Sequence, residues 1–578
     1  MALTRRAVAG LLAVPLGQAL FGQVLLGPAL LPGGVFAQGA GSAGSGLGMG
    51  LLGGRDWSPE QPFLDVMKSA RDWIGHRPGQ WGGEDHDALA AAGVLDGQGW
   101  PRLIPPDLES IGTVMLTDMP EGAQDLAGRY LVTWSGTGEV GLGGLARNPR
   151  REGRRITFDY SPGPGLVDLR ITASDPADPV RNIRVSRADR EALLAAGEIF
   201  NPDFLARLQG IGLLRFMDWL QTNNSPLVTP EDRPKPDDYT WTRRGVPIEV
   251  VVQLANRLEA DPWITLPHMG SDALFGEMAQ VVARDLAPGR VAWVEYSNEV
   301  WNWQFGQAAW ADQQAKARWG DGGGWLAFYA LRAAEAMAIW AGEIADPARL
   351  VRVLSTQTGW LGLEEHILAP KPVTDEGRPA PVGSFDAWAV TGYFSGALGH
   401  EDRMPMIHAW LAESKAAAKD HAARLGLKGS ALEAWGEKYG LDEALTRAVA
   451  ELRDGSVSGR PDDTLAHLTG VVWPYQADIA KKYGLRLVMY EGGTHVTGIG
   501  PVADDAQITA FFTALNYSGG MGALYDDLLA AWAAQSDAPF THYGFVATPG
   551  RHGSWGALRH LSDDNPRWRA LMRGCGSC

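Results

Sequence analysis

The feature that most constrains the fold is a regular alternation of short apolar, β-prone runs with stretches of helical spacing. Seven β-prone runs follow residue 210, and most of them carry polar residues toward the C-terminal end; they cover 213–222, 263–270, 291–299, 350–358, 385–394, 485–493 and 539–547. Apolar residues at helical spacing separate them, as at 246–259, 273–286 and 324–345. Strands that alternate with helices in this way form a parallel sheet, so the sequence predicts the α/β class.

An eighth β-prone run, "FLDVMK" at 63–68, precedes these seven and is the predicted first strand. Eight β/α repeats predict a (β/α)8 TIM barrel, whose functional side chains lie at the C-terminal ends of the strands. The polar residues toward the ends of most runs fit that placement. An open, doubly wound sheet is the alternative architecture for the same alternation.

Two segments interrupt the repeats. Residues 100–187 contain short β-prone runs split by Gly, Pro and Asp, which predicts an inserted antiparallel β unit between the first strand and the first helix. That position predicts a unit beside the barrel mouth, bordering the functional groove. Residues 396–465 are rich in Ala, Lys and Glu at helical spacing and predict a helical insertion. The barrel would then comprise 61–99 and 188–565, followed by a C-terminal tail at 566–578.

The N-terminus has the pattern of an export signal. Arg5 and Arg6 precede an apolar stretch broken by Gly and Pro, and Val35-Phe36-Ala37 ends it, so residues 1–37 are predicted to be removed. The arginine pair resembles a twin-arginine signal, which predicts a periplasmic or secreted protein; a retained membrane anchor is the alternative. Residues 38–60 are rich in Gly and predict a linker between signal and fold.

The composition limits which kinds of partner the protein is expected to bind. With 51 basic and 67 acidic residues, the net charge of −16 repels nucleic acid and anionic membranes and favours neutral partners. The only cysteines, Cys575 and Cys578, predict a local disulfide or an unstructured tail. No G-x-S-x-G, P-loop or H-E-x-x-H motif occurs. We expect no cofactor; the segment 400–408, with two His, one Glu and one Asp, is a weak candidate for a metal site.

Two carboxylates end strands that a barrel would bring together. Glu299 ends the fourth predicted strand and Glu491 ends the seventh. Cleavage of a glycosidic bond needs such a pair, because one carboxylic acid must protonate the leaving oxygen while the other, ionised, attacks the anomeric carbon or activates water. Surface carboxylates at strand ends are the alternative explanation.

The pair Asn298-Glu299 at the end of a fourth strand, with Glu491 ending a seventh, resembles clan A of the glycoside hydrolases. This retaining group includes cellulases, mannanases and β-glucosidases. The resemblance implies that Glu299 is the acid/base, that Glu491 is the nucleophile, and that Asn298 binds the sugar 2-hydroxyl. It also implies an oligo- or polysaccharide substrate, for which a neutral β-linked glucan or mannan is the first expectation.

The resemblance extends to further positions. It places Arg215 near the nucleophile and makes His268 and Tyr393 sugar contacts, although each could equally be a structural polar residue. Trp555 could form a sugar platform, whereas Trp301 is as well explained by packing. We expect Glu491 to be ionised and the pKa of Glu299 to be raised by its aromatic neighbours.

Two other functions fit the same residues. A non-catalytic carbohydrate-binding protein would use the same scaffold, although it would have little reason to keep both Glu299 and Glu491. A transglycosylase of exopolysaccharide metabolism would use the same site, and only its products would distinguish it from a hydrolase.

Overall fold

The computed structural model describes residues 46–321, 324–576 and 578. Its centre is a closed barrel in which every strand pairs in parallel with the next and the last pairs with the first, which confirms the predicted (β/α)8 fold. The strands are β1 Leu47–Gly50, β2 Leu213–Arg215, β3 Asp261–Leu266, β4 Ala292–Tyr296, β5 Leu350–Ser355, β6 Ala387–Phe394, β7 Arg486–Thr494 and β8 Phe540–His542. The predicted signal, 1–37, and the first part of the predicted linker, 38–45, lie outside the described residues.

The first strand is not the predicted one. It is the Gly-rich stretch Leu47–Gly50 inside the segment predicted to be a linker, and it pairs with β2 and β8. Glycine is needed there because a Cβ on Gly48 would lie 2.7 Å from Thr541 Oγ1. The predicted strand at 63–68 is replaced by a 3₁₀ turn, Val66–Ser69. The Asp65 side chain caps this turn by accepting a hydrogen bond from Met67 N.

Helices cover the outside of the barrel between its strands. The α-helices of the repeats, in chain order, are Pro202–Leu208, Ile248–Leu258, Asp272–Asp285, Gly306–Trp319, Trp325–Glu343, Lys371–Asp375, Trp473–Tyr483, Ala506–Asn516 and Gly519–Gln535. A final helix, Pro566–Cys575, packs on Gly519–Gln535 and buries Trp568 and Leu571, so the predicted tail is part of the barrel. Its last residue, Cys575, forms a disulfide with Cys578.

The inserted β unit is larger than predicted. It begins at Ile74 rather than near 100, because Ile74–His76 pairs antiparallel with Ser110–Met115. One sheet has four strands, in the order Arg181–Arg187, Gly128–Ser135, Arg155–Tyr160 and Arg147–Glu152. The other has five, in the order Gly83–Glu84, Ile74–His76, Ser110–Met115, Val167–Ser174 and Gly138–Gly144. A short helix, His86–Ala91, lies within the unit, and Glu191–Ala195 follows it. The unit has a hydrophobic core of its own.

The β unit packs against loops that follow β2 and β8. Tyr239 N, after β2, donates a hydrogen bond to the carbonyl of Gln98, and Ser562, after β8, donates to the carbonyl of Gly122. These loops leave the C-terminal ends of their strands, which is the predicted side of the barrel. None of the residues 74–187 lines the main cavity, so the expectation that the unit borders this groove is wrong.

The predicted helical insertion between β6 and β7 contains Met404–Arg424, Ser430–Tyr439 and Asp442–Asp454, and the short helix Leu465–His467 follows. Its helices bury Trp410 and Leu411 against the barrel core. Within 46–321, 324–576 and 578, no helix combines the length and the hydropathy that a bilayer crossing requires.

Candidate active site

A cavity of about 1050 Å3 opens at the C-terminal ends of the strands and contains both predicted catalytic residues. Glu299, just after β4, and Glu491, in β7, line it together. Glu491 is only 7% exposed, and Glu299 is partly buried. The two carboxylates that the sequence predicts therefore line one cavity, although they lie 192 residues apart in the chain (491 − 299).

Glu299 is held in position by a turn and by two hydrogen bonds. Ser297 and Glu299 have left-handed backbone φ angles of 62° and 42°, which residues other than glycine rarely adopt. Tyr490 donates its hydroxyl to Glu299 Oε1 at 3.1 Å, and Asn302 Nδ2 donates to Oε2 at 3.0 Å. Backbone strain of this kind persists only where the surroundings enforce it, and it concentrates at functional sites.

Asn298 lies between these two strained residues and is fixed by a side-chain network. Its Oδ1 accepts a hydrogen bond of 2.8 Å from Arg215, and its Nδ2 donates to Asn223 Oδ1 at 3.1 Å. Gln307 Nε2 donates to the Asn298 carbonyl at 2.7 Å and to Asn223 Oδ1 at 2.7 Å. The amide is thus oriented before any ligand binds.

A β-bulge in β7 turns Glu491 into the cavity. Val390 pairs with Met489 but Thr391 pairs with Glu491, so Tyr490 is the extra residue. A bulge re-aims side chains, and here both Tyr490 and Glu491 line the cavity. The next position must be glycine, because a Cβ on Gly492 would lie 2.8 Å from the Gly392 Cα of β6.

A buried ion-pair network lies below Glu491. Arg215, 2% exposed, donates one N–H to Glu491 Oε2 at 3.0 Å and another to Glu295 Oε2 at 3.0 Å. Glu295 is fully buried and also accepts hydrogen bonds from Trp263 Nε1 at 3.0 Å and Ser355 Oγ at 2.7 Å. Arg215 is therefore a positioning residue that two carboxylates share, and it does not itself line the cavity.

Because Glu295 and Glu491 share Arg215, the ionisation of Glu491 differs from that of a simple ion pair. Burial raises the pKa of Glu491 to about 8; Arg215 opposes the rise, whereas the charge of Glu299 adds to it. Glu295 competes for the same guanidinium, so Arg215 does not outweigh the cost of burying the charge. Burial of Glu491 therefore works against its expected ionisation, and the contact with Arg215 works for it.

The other predicted site residues divide into two groups. Tyr393, Trp301 and Trp555 line the cavity together with Asn298. His268 does not; it is 4% exposed, its ring lies against Trp310 at 5.6 Å, and burial lowers its pKa to about 4. Its prediction as a sugar contact is therefore not supported by its position.

Several residues of the site were missed. The cavity is also lined by Tyr490, Tyr543, His495 and the exposed ring of Trp360, and Glu295 supports it from below. The exposed ring of Trp303, next to Trp301 in the sequence, was not missed and lines the cavity as well. Tyr543 could have been found, because it lies within the eighth predicted strand, directly after the last residue of the observed β8, His542. The bulge that exposes Tyr490 leaves no local sequence signal.

The helical insertion contributes to the rim. Asp462 and Asp463, at its C-terminal end, line the cavity together with His467 of the short helix that follows. The cavity wall contains four carboxylates, at Glu299, Glu491, Asp462 and Asp463, and neither Lys nor Arg is among the residues that line it. In the part of the chain that the structure describes, no three His, Cys, Asp or Glu side chains are grouped to hold a metal ion.

Comparisons with known proteins add little to this geometry. No protein-family model and no curated protein matches the chain. Among solved structures, it is similar to the GH51 arabinofuranosidase from Xanthomonas axonopodis pv. citri, with 12% sequence identity and a TM-score of 0.33. The match covers 64% of this chain and 65% of that one, so it spans less than two thirds of that enzyme. The barrel assignment rests on the strand pairing described above.

Proposed function

We propose that the protein is an exported retaining glycoside hydrolase that cleaves a β-linked oligo- or polysaccharide. The observation that carries the proposal is the placement of Glu299 and Glu491 on one aromatic cavity at the C-terminal mouth of the barrel. Aromatic rings stack on the C–H faces of sugar rings, and two carboxylates supply the acid and the nucleophile.

The contacts of the two glutamates support different roles. Glu491 contacts Arg215, which stabilises its ionised form, whereas Glu299 accepts hydrogen bonds only from the neutral groups Tyr490 and Asn302 among the described residues. In the first step Glu491 attacks the anomeric carbon, the glycosidic C–O bond breaks, and Glu299 gives its proton to the leaving oxygen. In the second step Glu299 takes a proton from water, whose oxygen attacks the same carbon and releases Glu491.

The raised pKa of Glu491 adds a requirement to this mechanism. The reactive state needs Glu491 ionised while Glu299 carries a proton, and burial of Glu491 disfavours the first condition. The transition state is oxocarbenium-like, and its positive charge next to Glu491 favours ionisation of that group. The carboxylate is therefore stabilised most when the reaction needs it, which is how binding energy promotes catalysis.

Product analysis tests the proposal and separates it from its rivals. The purified protein is incubated with neutral β-glucans, β-mannans and β-xylans, and the products are resolved by mass. Chain shortening that is lost in Glu491→Gln supports hydrolysis, and products longer than the substrate indicate a transglycosylase. Binding with no change in chain length, equal in wild type and Glu491→Gln, would show a non-catalytic binding protein and refute the proposal.

Export is a separate part of the proposal. It rests on Arg5, Arg6 and the small-residue ending at Val35-Phe36-Ala37. N-terminal sequencing of protein from a cell fraction checks it, with a mature terminus near Gln38 expected. Substituting both arginines with lysine tests the twin-arginine route, and an intact Met1 on cytoplasmic protein would contradict export.

A further inference from the structure

The catalytic cavity carries two carboxylates that the proposed reaction does not use. Glu299 and Glu491 come from the barrel and do the chemistry, whereas Asp462 and Asp463 come from the end of the helical insertion. No Lys or Arg is among the described residues that line the cavity, and Arg215, below its wall, is already paired with Glu491. A cleft lined by charges of one sign attracts a ligand of the opposite sign. The wall therefore favours a ligand that carries positive charge.

Neither aspartate is neutralised by the protein. Both side chains belong to exposed residues, and no described Lys or Arg lies within ion-pair distance of either one. Arg460, two residues before Asp462, pairs with Asp402 instead. Asp462 only approaches His467, with 3.6 Å between its Oδ1 and the ring Nδ1. Both charges are thus available to a ligand in the cavity.

Asp463 is held beside the strand that carries the nucleophile. Its Oδ2 accepts a hydrogen bond of 2.6 Å from Ala397 N, in the loop after β6, while its Oδ1 accepts none from the described residues. A Cβ on Gly396 would lie 3.4 Å from this Oδ2 and 2.8 Å from His495 Nδ1, so the carboxylate and the imidazole border the same glycine. His495 directly follows β7, which contains Glu491. One oxygen of Asp463 is therefore fixed near the catalytic centre and the other is free to accept.

His495 connects this carboxylate to the aromatic wall. Its ring lies 5.5 Å from the ring of Tyr393 and 5.2 Å from that of Trp555, and all three residues line the cavity. Burial lowers the pKa of His495, so its ring is neutral at neutral pH and does not cancel the charge of Asp463. A sugar chain that lies along these rings meets an anion at the end of the insertion.

We infer that the cavity binds a sugar chain with protonated amino groups, a β-linked polymer of glucosamine, and that Asp462 and Asp463 select it by pairing with its ammonium groups. An ammonium group is positively charged at neutral pH and donates hydrogen bonds, which a carboxylate accepts. The inference rests on the proposed function, because that function makes the ligand a saccharide. It replaces the neutral chain expected from the composition with a cationic one.

Matched oligosaccharides test the inference. The probes are β-1,4- and β-1,6-linked tetrasaccharides of glucosamine, each compared with its N-acetyl derivative and its glucose counterpart at about pH 6, where amines are protonated. The N-acetyl derivative keeps the nitrogen but has no charge. We expect kcat/KM of the wild type to be about tenfold higher for the glucosamine chain of the matching linkage, and this preference should decrease as salt is added.

A double variant assigns the preference to the insertion. Asp462→Asn with Asp463→Asn removes both charges and keeps the oxygen that accepts from Ala397 N. It should lower kcat/KM for glucosamine chains about tenfold and leave the rates on uncharged chains unchanged. The matched control is Asp420→Asn with Glu437→Gln, two exposed carboxylates of the insertion that do not line the cavity. Because both double variants have the same net charge, only a local role separates them.

The outcomes separate the inference from the function beneath it. A wild type that cleaves an uncharged chain at least as fast as its glucosamine counterpart, or equal losses in the two double variants, would overturn the selection by charge and leave the hydrolase intact. If no chain is cleaved, the hydrolase fails, and calorimetry with the same tetrasaccharides decides. About tenfold tighter binding of glucosamine than of its N-acetyl derivative, lost only in the Asp462 and Asp463 variant, would support the inference; equal binding, or none, would overturn it.

Discussion

Replacing Glu491 with glutamine should make the protein more stable at neutral pH while abolishing its activity. Burial raises the pKa of Glu491 from 4.5 to about 8, so its ionised form is favoured in the unfolded chain and disfavoured in the folded one. At pH 7 this difference costs about 3 kcal/mol of folding free energy. Glutamine does not ionise and avoids this cost. Its NH2 group next to Arg215 loses part of that gain, so the net stabilisation of Glu491→Gln is about 2 kcal/mol.

The sign and the pH range follow from the same values. Between pH 4.5 and 8 the folded state binds a proton that the unfolded state has lost, so wild-type stability falls as pH rises, by about 1.4 kcal/mol per unit at most. The advantage of Glu491→Gln should therefore be absent near pH 4, grow through pH 7 and level off above pH 8.

Urea unfolding followed by tryptophan fluorescence at four pH values measures this difference. Glu437→Gln, on an exposed part of the helical insertion, is the control and should show no pH-dependent gain. If Glu491→Gln were no more stable than wild type at pH 7.5, or if its gain were the same at pH 4, the burial argument for Glu491 would be refuted.

Three further predictions concern the residues around Glu491. Arg215→Met leaves Glu295 buried without its cation and removes a hydrogen-bond donor from Glu491, which should cost about 3–5 kcal/mol and lower the urea midpoint; an unchanged midpoint would contradict the shared contact. Glu299→Gln should still form the glycosyl-enzyme from 4-nitrophenyl substrates, and added azide should restore its turnover. Absence of a glycosyl azide product would contradict the role of Glu299 as acid/base. Tyr490→Phe removes one of two hydrogen bonds to Glu299 and should lower kcat/KM about tenfold for poor leaving groups only; an equal loss for activated ones would argue for a structural role.

The barrel could be predicted because most of its strands follow one rule. From 213 onward, most strands are an apolar run followed by polar residues. Seven of the eight strands match the predicted runs, with β3 beginning two residues before its run and β7 ending one residue after its run. β1, "LGMG", does not follow this rule, because it packs against Thr541, where only glycine fits. A Gly-rich strand has the composition of a linker and was therefore not predicted. The run at 63–68 has β propensity, which alone does not distinguish a strand from a capped turn.

Site residues could be predicted where the position of the side chain follows from the end of its strand alone. Glu299, Glu491 and Asn298 are of this kind, and so are Tyr393 and the missed Tyr543. His268 also ends a strand, yet its ring turns away against Trp310, which spacing does not show. Glu295 and the β7 bulge depend on contacts between strands far apart in the chain, such as Glu295 with Arg215 and Ser355.

The central claim is that Glu491 forms a covalent bond with the sugar. The most direct measurement uses 2-deoxy-2-fluoro-β-glycosyl fluorides of the gluco, manno and xylo series, in which fluoride leaves without needing an acid and the second step is slow. Mass spectrometry of the intact protein and of its peptides should show one added sugar on the peptide that contains Glu491, and none in Glu491→Gln. A label on another residue, or inversion of the anomeric carbon with no label during turnover of a confirmed substrate, would contradict the account.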